Sequence, residues 1–111
     1  MVQPVRHDLQ CYKGQTWSQD IFILQNRLPV DLSGITAKAE IRPSENSPVL
    51  TAEMRVTVYG SEGKINLFLG SSRTAVIKPG FYAWDLKGVD GQDEVTYWIK
   101  GQFVVTGRVT E

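Results

Sequence analysis

The stretch Ile35-Thr36-Ala37-Lys38-Ala39-Glu40-Ile41-Arg42 decides how the rest of the chain is read. Ile35, Ala37, Ala39 and Ile41 fall on one side of a period-two pattern, and Thr36, Lys38, Glu40 and Arg42 on the other. Alanine and charged residues favour helices, but a helical period would scatter these apolar positions around the circumference. An extended backbone gives them one dry face and leaves the polar set in water. The stretch is a strand.

The same alternation recurs on the C-terminal side. Lys64-Ile65-Asn66-Leu67-Phe68-Leu69 places Ile65, Leu67 and Leu69 inward, and Tyr82-Ala83-Trp84-Asp85-Leu86 does so with Tyr82, Trp84 and Leu86. Turn residues separate the runs: Lys13-Gly14, Asn26-Arg27, Gly60-Ser61-Glu62-Gly63, Lys78-Pro79-Gly80 and Asp90-Gly91. Pro43-Ser44-Glu45-Asn46-Ser47-Pro48 reads as an exposed loop leading into a strand over Val49–Met54. The apolar run from Val95 to Val105 is long for one strand, and Gly101 in its middle is the expected bulge. Ser71-Ser72-Arg73-Thr74-Ala75-Val76-Ile77 follows a glycine and stops before Pro79, which predicts one short helical turn near residues 72–77. About seven to nine short strands with turns between them predict an all-β, immunoglobulin-like sandwich. The expected organisation is a single domain over 1–111, with an N-terminal tail at 1–5.

Composition narrows the function. Twelve basic residues balance twelve acidic ones, so the chain lacks the net positive charge that nucleic acid or an anionic membrane surface would attract. No apolar run approaches the roughly 20 residues needed to span a bilayer. Met1-Val2-Gln3-Pro4-Val5-Arg6 lacks the apolar segment of a signal peptide, and synthesis in a cytoplasm is expected. Cys11 is alone and cannot form an internal disulfide, so it reads as a small buried thiol in a first strand.

Catalysis requires tuned groups held within reach of one another. The single histidine, His7, reads as an ordinary first-strand residue, and the serines fall in or beside turns, none in a Gly-x-Ser-x-Gly elbow. One His and one Cys do not make a zinc site. Asp90, Asp93 and Glu94 lack the spacing of a calcium loop and read as a solvated hairpin tip. Gly60-Ser61-Glu62-Gly63-Lys64 precedes a strand, where no helix dipole awaits a phosphate. No catalytic residue, metal, cofactor or small-molecule substrate is expected.

Exposed aromatics remain. If Tyr82 and Trp84 face the core, Phe81 faces out; Phe68 opposes Ile65 and Leu67; and Trp98 takes the face opposite Val95, Tyr97 and Ile99. Phe68, Phe81 and Trp98 are therefore candidate interface residues, since aromatics are favoured at the centres of protein contacts. Trp17, Trp84 and Trp98 also raise a carbohydrate-binding reading, which requires exposed coplanar rings.

Several motifs carry a resemblance. Leu9-Gln10-Cys11-Tyr12-Lys13-Gly14-Gln15-Thr16-Trp17 resembles the Leu-x-Ile-Tyr-x-Gly-Asp/Ala-Thr-Phe opening of small proteins encoded among tailed-phage structural genes. Leu28-Pro29-Val30-Asp31-Leu32-Ser33-Gly34 together with Ile35–Arg42 is similar to their Pro-Ile-Asp-Leu-Thr-Gly signature. Pro79–Leu86 and Lys100–Val105 resemble the later Gly-x-Tyr-x-Phe-Asp-Leu and Gly-x-Phe-x-Val elements. Cys11 and Gln15 depart from the pattern, where Ile and Asp or Ala are usual. The resemblance is to the β-sandwiches of long-tail-fibre collar proteins and, more distantly, to the N-terminal domain of phage upper baseplate proteins. It implies a non-enzymatic virion component, a collar or adaptor at the tail tip, baseplate or neck, built of protein–protein contacts with other phage structural proteins. A capsid decoration or cement protein is the alternative within the particle. A homo-oligomer or ring is expected, with the N-terminal tail, including Val2 and Pro4, held against a partner.

Overall fold

The computed structural model describes residues 5–107. Val2 and Pro4 lie outside the described residues. The strands are β1 (Val5–Arg6), β2 (Leu9–Tyr12), β3 (Trp17–Phe22), β4 (Leu24–Gln25), β5 (Leu28–Pro29), β6 (Thr36–Arg42), β7 (Ala52–Tyr59), β8 (Lys64–Leu69), β9 (Gly80–Val89) and β10 (Val95–Thr106). A 3-10 turn, Gly60–Glu62, joins β7 to β8, and a short helix α1, Ser71–Thr74, follows β8. The chain is all-β, as the alternation requires.

One eight-stranded sheet runs β1-β10-β9-β6-β7-β8-β3, with β2 also paired to β10, and it folds into two layers at β7. Ala52 and Met54 of β7 pair with β6, whereas Arg55 to Tyr59 pair with β8, so one strand serves both layers. Most pairings are antiparallel; β1 and β2 lie parallel to β10. β4 and β5 form a separate hairpin whose turn residues, Asn26 and Arg27, both have positive φ, as a two-residue hairpin turn demands. Between the layers lie Ile41, Trp84, Leu86, Phe103 and Val105 from one side and Trp17, Ile21, Ile65, Leu67 and Leu69 from the other. Trp17 meets Phe103 edge-on, ring centroids 5.3 Å apart at 76°, and so ties the layers together. Cys11 is buried in β2 as a free thiol.

Three expectations change. The bulge in β10 falls at Trp98, between the Tyr97 and Ile99 pairings, and not at Gly101, which pairs in register with Trp84. The extra residue resets the alternation: Ile99 is buried while Val95 and Tyr97 are exposed, and Trp98 packs against the core over Gly88 instead of facing outward. Gly101 is small for a different reason, because a Cβ there would run into the His7 carbonyl. The strand expected over Val49–Met54 begins at Ala52, with Val49 and Leu50 left exposed.

Candidate contact surfaces

The sheet almost closes on itself but stops short. Its two ends, β1 at one and β3 at the other, flank a groove of about 310 Å³ lined by residues including His7, Ile21, Leu24, Trp98 and Ile99. His7 sits between β1 and β2, where its backbone N–H donates to the Lys100 carbonyl (2.9 Å) and its carbonyl accepts from the Trp84 indole (2.8 Å). Next to it the Asp8 carboxylate accepts the Gln102 N–H (2.9 Å), standing in for the carbonyl that the interrupted strand cannot offer. These residues stitch an edge; nothing there is arranged as a nucleophile and base.

The outward face of the first layer is charged. Strand register sets Glu53, Glu40, Asp85 and Lys100 side by side across β7, β6, β9 and β10. Arg42 holds Glu40 (3.1 Å), Lys38 lies between Glu40 and Glu53 (3.9 and 3.8 Å), and Lys100 reaches Glu45 on loop 43–51 (3.0 Å). That loop overhangs a groove of about 380 Å³. Burial first, then the adjacent Glu40 carboxylate, pushes the Asp85 carboxyl above its ordinary value, with Lys87 and Arg42 pulling the other way. Phe81 stands on this face, 71% exposed, opposite Val104.

The outward face of the second layer carries Phe68, half-buried, with Ser18 and Arg55 as its cross-strand neighbours. The Asn66 amide donates to the Ser18 hydroxyl and the Asp20 carboxylate (both 2.9 Å), bracing β3 against β8. Phe68, Arg55 and Arg73 of α1 line a third groove of about 410 Å³. Phe22, Leu24 and Leu28 form exposed apolar ground at the opposite end of β3.

The structure therefore keeps Phe68 and Phe81 on outer faces, in different layers, and moves Trp98 to the edge of the core. Trp17 and Trp84 are buried to 7% and 2% exposure, so neither offers a ring face to a sugar. Arg55 and Arg73 were not singled out from the sequence. Only strand register brings Arg55 beside Phe68, and only the connection through α1 adds Arg73.

No protein-family model matches the chain. No curated protein matches it either. Among solved structures, the fold is similar to the N-terminal domain of phage TP901-1 ORF48, with a TM-score of 0.60 over 90% of this chain and 85% of that one. Sequence identity is 9%, so the likeness is one of fold.

Proposed function

We propose that this chain is a non-enzymatic structural component of a tailed-phage particle, a collar or adaptor at the tail tip, baseplate or neck. The observation that carries the reading is the fold likeness to a phage protein domain over 90% of this chain, which agrees with the motif resemblance in the sequence. The surface suits such work. The sheet has two open edges, which can accept a neighbouring strand, and its outer faces present aromatic residues beside charged ones. A stable contact takes roughly 800 Å² from each partner. Against a total surface of 7374 Å², a position among several neighbours would occupy a large share of the molecule.

Mass spectrometry of purified particles, paired with immunogold labelling, tests the reading. It expects the protein in the particle at a fixed copy number, with label at the tail or neck. Label distributed over the capsid would replace the collar role with decoration, and absence from particles would end the structural reading.

A further inference from the structure

The neutral net charge conceals two groups of charged side chains that pair with nothing among the described residues. At the α1 end, Arg55 and Arg73 line the groove beside Phe68. Among the described residues, no carboxylate lies within ion-pair distance of either guanidinium. Glu53, on the same rim, is held by Lys38 at 3.8 Å. Lys13 belongs to this end too, its ammonium donating to the Ile77 carbonyl (3.4 Å).

The second group is acidic. Strand β9 starts beside α1 and, ten residues later, delivers the chain to the turn at residues 90–94. The turn is a built feature: the Asp90 carboxylate accepts the N–H groups of Gln92 (2.8 Å) and Glu94 (3.0 Å). With Asp90 so engaged, Asp93 and Glu94 are exposed and belong to no ion pair among the described residues.

We infer that the Arg55–Phe68–Arg73 groove is a docking site for a second copy of this chain, which presents its 90–94 turn. Two guanidiniums lining a groove with an aromatic ring match two carboxylates on a hydrogen-bonded turn, and Arg is well suited to bidentate carboxylate contact. The two surfaces differ, so the contact pairs unlike patches of the two copies. Repetition then generates a ring if the rotation closes and an open stack if it does not. The inference rests on the contact-protein reading above and names one of its partners.

Sedimentation velocity over a concentration series tests it on the purified chain. The wild type is expected to self-associate at low ionic strength and to dissociate in about 1 M salt, where screening reaches within ~3 Å. Arg55→Glu/Arg73→Glu and Asp93→Lys/Glu94→Lys should each weaken association by about tenfold or more. An equimolar mixture of the two should restore it, because every reversed surface then meets its reversed counterpart. Thermal melts matching the wild type establish that both variants fold; should either fail, Arg55→Gln/Arg73→Gln and Asp93→Asn/Glu94→Gln give milder losses that read the same surfaces. A monomeric wild type at every concentration, unchanged association in either variant, or a mixture of folded variants that fails to restore it would overturn the contact. Incorporation into particles is scored separately. Monomeric protein that still enters particles removes this contact and leaves the structural role, whereas self-associating protein absent from particles does the reverse.

Discussion

Gly101 shows how much a missing side chain can decide. It lies where the β1–β2 segment crosses β10, and a Cβ would strike the His7 carbonyl, a backbone atom held by the Trp84 indole. Gly101→Ala should therefore cost about 1–3 kcal/mol, as overpacking does, because the obstructing atom cannot rotate away. Chemical denaturation of the two proteins measures the difference. The aromatics divide just as sharply. Trp17→Ala removes the ring that bridges the layers against Phe103 and should cost about 3–5 kcal/mol. Phe81→Ala, at an exposed position, should change stability by no more than about 0.5 kcal/mol. If Phe81 serves an interface, the same variant loses particle incorporation while its melt stays put.

At the level of elements, period-two patterning made β6, β8 and β9 legible from the sequence, because each has one face on the core and one in water. The β10 bulge was legible as a need but not as a place. A glycine inside a strand marks either extra backbone or close approach, and those alternatives separate only when His7, far away in sequence, is brought alongside. Trp98 then absorbs the extra residue and turns its ring onto Gly88. Cross-strand neighbours were equally hidden, and Glu40 adds to burial, the larger cause, at Asp85. Its carboxyl holds a proton to higher pH in the folded chain than in the unfolded one. Folding thus takes up a proton between those two values, and stability falls as pH rises through that window. The gain is fully present below the ordinary aspartate value and is lost above the raised one. Melts of Asp85→Asn against the wild type from about pH 4 to 7 should show a flatter profile and a higher neutral-pH midpoint. Strand order also sets local opening. The β4–β5 hairpin, two exposed residues per strand, should exchange its amides far faster than the central β9 and β6. Hydrogen-exchange mass spectrometry reads that directly.

At the scale of the whole molecule, what the sequence hid is long range. The parallel pairing of β2 with β10 joins Leu9 to Phe103, and the antiparallel pairing of β3 with β8 joins Trp17 to Leu69. The balance of twelve positive and twelve negative residues likewise looks featureless until strand register sets Arg55 beside Phe68 and Glu40 beside Asp85. The fold class was within reach of the residues themselves; the contact surfaces depend on strand register and on which ends of the strands meet. The proposed role requires this molecule to be held in a particle by its neighbours. Cryo-electron microscopy of particles made with and without the gene tests that most directly. A repeated density of sandwich size, about 43 × 27 × 22 Å per copy, should be lost from the tail or neck when the gene is deleted. Identical maps from the two preparations would contradict it.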